Sequence, residues 1–191
     1  MYGRFAKIIT FAAVMMVLVL GAALALAEDA PKAASDTKKE HAYVGSKTCK
    51  MCHNTEAQAK IYDKWMSTKH AHAMAALDSA KGETTNPKCL KCHTTGYGKA
   101  TGFDKVKDKQ GAEDLGSVGC EACHGPGSDY KAMGVMKNHE QAIANGLIVP
   151  TEEVCKTCHN QESPTFKGFD YTTMFPKIAH GKKAAGAGEK K

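Results

Sequence analysis

Eight cysteines lie at Cys49, Cys52, Cys89, Cys92, Cys120, Cys123, Cys155 and Cys158, and each belongs to a Cys-x-x-Cys pair. A histidine follows every pair at once: His53, His93, His124 and His159. At this spacing two thiols can hold one edge of a c-type haem while the adjacent imidazole reaches its iron as proximal ligand. One match is weak, but four matches that use every cysteine of the chain are a strong signal. Zinc does not need a histidine after each pair, and disulfides do not need paired spacing. The pattern predicts four covalently attached haem c groups, with His53, His93, His124 and His159 as proximal ligands.

Five further histidines remain: His41, His70, His72, His139 and His180. Four irons need at most four distal ligands, so these five are the candidates. His70 and His72, two apart on a helix, point roughly 200° apart and cannot serve one iron. The competing ligands are Met66, Met74, Met133, Met136 and Met174. Methionine is more often flexible filling, and its ligation raises the potential relative to histidine. The histidine supply therefore predicts mostly bis-His iron at low potential.

The elements that must position these groups are poor in apolar residues. Without residues 1–27 the chain keeps 164 residues, of which 14 are Leu, Ile or Val and 4 are Phe. That share lies well below the roughly 20% under which a chain is suspected of disorder. A conventional apolar core is excluded, as are an ordinary Rossmann or barrel enzyme and a polytopic membrane protein. The haems must supply the missing mass. The expected fold class is mainly α with long coil segments, a compact multihaem cytochrome whose core is four covalently bound haems.

Residues 1–27 read as a signal peptide: Arg4 and Lys7, an apolar run over 8–27, and Ala25-Leu26-Ala27 before Glu28. Its run is long enough to span a bilayer if retained. Periplasmic or extracellular localisation follows, or a membrane anchor if the signal stays. Residues 28–42 read as a flexible leader carrying His41 at its end, 43–180 as the tetrahaem domain, and 181–191 as a disordered Lys/Gly/Ala tail. Within the domain, 54–80 reads as helix broken near Ser67-Thr68. A second helix is expected over 128–145, with Ser128 as N-cap, His139 late on it and Gly146 just past its end. Residues 94–118 read as a long loop or short hairpin. Residues 163–176 read as a loop carrying Phe166, Phe169, Tyr171 and Phe175.

Several stretches resemble the nitrifier tetrahaem cytochrome c-554 family. They are Tyr43-Val44-Gly45-Ser46 before the first motif, Trp65-x-Ser67-x-x-His70-Ala71-x-Ala73-Met74, and Gly119-Cys120-Glu121-Ala122-Cys123-His124-Gly125-Pro126-Gly127. The segment 155–164 looks like that family's fourth haem site. The resemblance covers about residues 43–180. It implies a compact helical fold with closely packed haems. It assigns His139 to the first haem, His70 to the third and His180 to the fourth. In the member that accepts electrons from hydroxylamine oxidoreductase the second haem has no distal side chain. His41 and His72 are extra to that pattern, and either can fill the second site. The resemblance extends to extracellular filament cytochromes, in which a histidine of one subunit ligates a haem of the next.

The chain carries a formal +6, but the part after residue 27 has 24 Lys, no Arg and 20 Asp or Glu. Eight haem propionates and four ferric cores would bring its net charge near 0, so the basic balance says little about nucleic acid. No nucleic-acid partner is expected. Lysine without arginine suits transient, electrostatically steered docking to redox protein partners. Membrane contact would come only through a quinol-oxidising or anchored partner. The leading function is electron transfer without catalysis. The alternatives are a redox enzyme for nitrogen oxides or hydroxylamine-type substrates at an open second iron, and a homo-oligomeric filament subunit.

Overall fold

The computed structural model describes residues 40–180, and every regular element among them is helical. Three short helices carry a whole motif each: α1 (Ser46–His53), α3 (Pro87–His93) and α5 (Cys120–His124). The fourth motif begins on α8 (Glu152–Lys156), and the amide of His159 still donates to the Cys155 carbonyl at 2.9 Å beyond its end. Helical geometry is what the motif needs. Positions i, i+3 and i+4 share one face, so both thiols and the imidazole point the same way.

The remaining elements frame these four. The segment 54–80 is not one helix. It contains α2 (Ile61–Met66) and single 3₁₀ turns at Glu56–Gln58, Lys69–His72, Met74–Ala76 and Ser79–Lys81. Its expected break at Ser67-Thr68 is present, where Thr68 is extended. An earlier break comes from Ala59 and Lys60, both left-handed at φ 55° and 52°, which a helix cannot accommodate. His70 and His72 therefore share a 3₁₀ turn and are rotated by about 240° from one to the next rather than 200°. They still point to different faces.

The segment 94–118 holds a helix where a loop or hairpin was expected: α4 (Lys109–Leu115), whose N-cap Asp108 accepts from the Gly111 amide at 2.7 Å. The expected helix over 128–145 is two: α6 (Met133–Met136) and α7 (His139–Ala144). Asn138, not Ser128, caps α7, accepting from the Gln141 amide at 3.0 Å. His139 is thus the first residue of its helix. Gly146 does close the helix, at φ 98°. Gly146 N donates to Ile143 O and Leu147 N to Ala142 O, each at 3.0 Å, the paired bonds of a Schellman cap. The aromatic loop ends in α9 (Tyr171–Met174).

Ser128 has another task. Its hydroxyl accepts from the Ala42 amide at 2.9 Å and its own amide donates to the Ala42 carbonyl at 3.1 Å. His41 Nδ1 lies 2.7 Å from Asp129 Oδ2. Residues 41 and 42 are therefore tied to the domain, and the part of the leader expected to be free ends before them. The signal segment, the rest of the leader and the tail lie outside the described residues.

The buried apolar side chains among the described residues are Ala73, Leu90, Leu115, Tyr130 and Ala142. Much of what else is buried is polar: Ser46, Thr94, Thr95, Ser117 and Glu121. Thr95 knots the middle, donating to Ser117 O at 2.7 Å and accepting from Gly119 N at 2.9 Å. A β-carbon at Gly119 would sit 2.4 Å from the Ser46 hydroxyl oxygen, so only glycine lets α1 meet the start of α5. The helices thus enclose space rather than pack on one another.

Candidate functional site

The first and third motifs open onto one cavity of about 380 Å³, lined by Cys49, His53, Cys120, Cys123 and His124. His70, His139 and His180 reach the same cavity, between apolar walls that include Ile61, Trp65, Leu147 and Ile148. Trp65 is anchored there by its indole N–H, which donates to Val118 O at 3.0 Å.

Two proximal histidines face a second imidazole. The rings of His124 and His180 have centroids 6.1 Å apart, and those of His70 and His159 are 6.0 Å apart. Two imidazoles bound end-on to one metal, each through a bond of about 2 Å, place their ring centres about 6 Å apart. The spacing suits a haem iron between them. The resemblance assigned His70 to the third motif and His180 to the fourth; the ring contacts bring His70 to His159 and His180 to His124, while His70 also lines the cavity of the third motif. Phe169, from the loop flagged for its aromatics, stacks on His159 at 4.9 Å and fixes that ring's rotation from one side.

The imidazoles are in the form that binds metal. Burial lowers the pKa of His53, His70, His124 and His159, which favours the neutral imidazole. His93 Nδ1 lies 2.6 Å from Ala73 O and His124 Nδ1 lies 3.2 Å from Ile148 O. A carbonyl at Nδ1 fixes the tautomer and leaves Nε2 for a metal. His180 Nδ1 meets Ile178 O at 2.9 Å to the same effect.

The thiols show how the four motifs adjoin. Cys49 and Cys120, from the first and third motifs, share a hydrogen bond that pulls the Cys120 thiol down to about 7 and pushes Cys49 up. Cys92 and Cys158, from the second and fourth, also touch; burial, then the charge of Cys158, raises Cys92 to about 11. Cys123 of the third motif is raised to about 11, first by burial and then by Cys155 and Cys158 of the fourth. No group of three His, Cys, Asp or Glu side chains converges among the described residues as a zinc ion requires. Paired thiols beside an apolar cavity with facing imidazoles fit haem instead.

Residues 48–125 match the family model described as cytochrome c554 and c-prime. Cytochrome c-554 of Nitrosomonas europaea is 30% identical over 164 residues, covering 71% of this chain and 66% of that protein. The chain is a relative of cytochrome c-554. It spans just under two thirds of that relative's length. The structure of reduced cytochrome c554 from Nitrosomonas europaea aligns with 26% identity over 72% of this chain and 78% of that one, at a TM-score of 0.49. The four Cys-x-x-Cys-His motifs of the chain are the residues that would attach haem c in a cytochrome of this kind.

The two remaining candidate ligands, His72 and His41, each contact another group. His72 Nε2 is 2.9 Å from Met66 O. The next residue, Ala73, supplies the carbonyl at His93 Nδ1. His41 packs on Gly146, where a β-carbon would lie 2.8 Å from its ring, and pairs with Asp129. That is the neighbourhood of the third motif, since Gly146 O in turn crowds Gly125. Neither contact involves His93.

Sequence reasoning missed Glu121. It is 2% exposed and accepts the amides of Val44, Gly45 and Gly127. A signal was present: the other three motifs carry Lys50, Lys91 and Lys156 between their cysteines, and only the third carries an acid.

Proposed function

We propose that this chain is an exported electron carrier whose four haems form one conducting series. The observation that supports this most is the placement of the cysteines: Cys49 of the first motif meets Cys120 of the third, Cys92 of the second meets Cys158 of the fourth, and Cys123 of the third lies near enough to Cys155 and Cys158 to feel their charge. Each bound haem supplies one-electron chemistry at iron. The chain's residues do the rest. Cys49 and Cys52, Cys89 and Cys92, Cys120 and Cys123, and Cys155 and Cys158 fix each attachment edge. His53, His93, His124 and His159 hold the iron from the proximal side. His139, His180 and His70 serve as distal ligands at the first, third and fourth motifs. Redox proteins are the partners, met at exposed edges and steered by surface lysine. The apolar run over 8–27 directs the chain to the periplasm; no helix among the described residues is long and apolar enough to cross a membrane.

One observation favours a second reading for part of the molecule. His72 meets the Met66 carbonyl and His41 pairs with Asp129, so no side chain is assigned to the distal side of the second motif, and an iron held there would keep an open position. Such an iron binds a small diatomic ligand, the property the enzyme alternative needs. Optical and magnetic spectra of the ferric holoprotein test both readings. Three low-spin irons and one high-spin iron are expected, with one carbon monoxide bound per fully reduced chain. Four low-spin irons inert to carbon monoxide would remove the open site, and fewer than three low-spin irons would overturn the distal assignments.

A further inference from the structure

The acid inside the third motif is placed where it can act on two irons at once. Glu121 Oε1 accepts from Val44 N at 2.9 Å and Gly127 N at 2.6 Å. Its Oε2 accepts from Gly45 N at 2.8 Å and Val44 N at 3.1 Å. Both oxygens meet N–H donors, and a proton on either would face a donor instead of an acceptor. The hydrogen bonding therefore selects the carboxylate. Burial works against it and pushes the acid upward, while the amides and Lys131 pull it back. Tyr43 and Tyr130 nearby are raised first by burial and then by this carboxylate, and Cys49 chiefly by its hydrogen bond with Cys120.

The location is a joint between two motifs. Gly45 is the N-cap of α1, which carries the first motif, and Gly127 follows the third. Beside them the Cys120 amide donates to Ser46 Oγ at 3.2 Å. Cys49 and Cys120 touch across the same joint. A charge there is poorly screened, because salt reaches buried groups far less than exposed ones. An anion near an iron opposes the arrival of an electron, through an attraction for the ferric form that falls off only as the inverse of distance.

We propose that Glu121 is a positioning residue and a fixed buried anion, which clamps the first motif to the third and biases both irons toward the ferric state. The proposal rests on haem occupancy as set out above. It adds that the potentials of two particular irons are set by one side chain that ligates neither.

The experiment follows the four haems one by one in the holoprotein, by nuclear magnetic resonance of their shifted methyl signals during a mediated redox titration. Haem content is measured first. A count below four in the unaltered protein would strike at the occupancy and not at Glu121. With four haems bound, Glu121→Gln should move the first and third potentials upward and leave the second and fourth in place. Glu121→Asp, which keeps the anion, should return most of that shift. If both variants lose thermal stability alike and no potential moves, Glu121 is packing only and the proposal fails. Infrared difference spectra of the unaltered protein, made with ¹³C-labelled glutamate, decide the matter even where Glu121→Gln does not fold. A glutamate carboxylate band that shifts as the first and third haems are reduced is expected. No such band on those two waves would overturn the proposal.

Discussion

Replacing all eight cysteines with serine yields a chain that is made but does not fold. Leu90, Leu115 and Tyr130 are the only large apolar side chains buried among the described residues. Backbone ordering costs roughly 1–2 kcal/mol per residue, and a handful of buried side chains at about 1.5–3 kcal/mol each cannot offset it across the domain. The helices do not help on their own account. The longest described helix is α1, with 8 residues, and isolated helices below about 12 residues are marginal in water. What remains is the covalent haem, which brings apolar surface already tethered at two points. The check is solution scattering on the chain without residues 1–27. Folded holoprotein should have a radius of gyration near 15 Å, and the serine chain should approach roughly 40 Å. A compact serine chain with the helical signal of the holoprotein would show that polypeptide alone builds this fold.

His70→Ala has the second largest effect and discriminates between two pairings. The ring contacts put His70 opposite His159 and His180 opposite His124. Removing His70 should convert the fourth iron from low spin to high spin, add one carbon monoxide site per reduced chain and raise that iron's potential, since a donor imidazole is lost. The affected haem can be recognised because Phe169 stacks on its proximal ligand. Magnetization transfer from the Phe169 ring should therefore reach the haem whose spin state changed. His180→Ala should produce the same conversion at the third motif, beside Tyr130. If His70→Ala instead altered the haem next to Tyr130, the pairing drawn from the ring contacts would be wrong.

The residues that bond to haem were legible because covalent attachment leaves a contiguous motif. The distal side was legible only as a set. Counting left five candidates and the resemblance singled out His70, His139 and His180, but their partners depend on where α5, α8 and the turn Lys69–His72 lie in space. Spacing along the chain does not encode that. His41 and His72 looked like spare ligands for the same reason. Only the Met66 carbonyl at His72 and the Asp129 carboxylate at His41 show where each imidazole goes. Local structure was misread where short-range rules compete. Residues 54–80 have helix-forming composition, yet Ala59 and Lys60 are left-handed. Ser128 and Asn138 both have capping side chains, and tertiary bonding to Ala42 took Ser128 away from that role. Glu121 went unread because an acid within a motif looks like surface charge until its amide partners, 77 and 6 positions away in the chain, are known.

The central claim is that the middle of this molecule is four haems in electronic contact. Coulometric titration of the purified exported protein, with haem counted on the same sample, tests it most directly. The account predicts four haems and four electrons taken up per chain, with every haem reduced when only the most exposed one is contacted by a protein donor. Fewer than four electrons per chain, or a haem that stays oxidised until a small mediator is added, would contradict it.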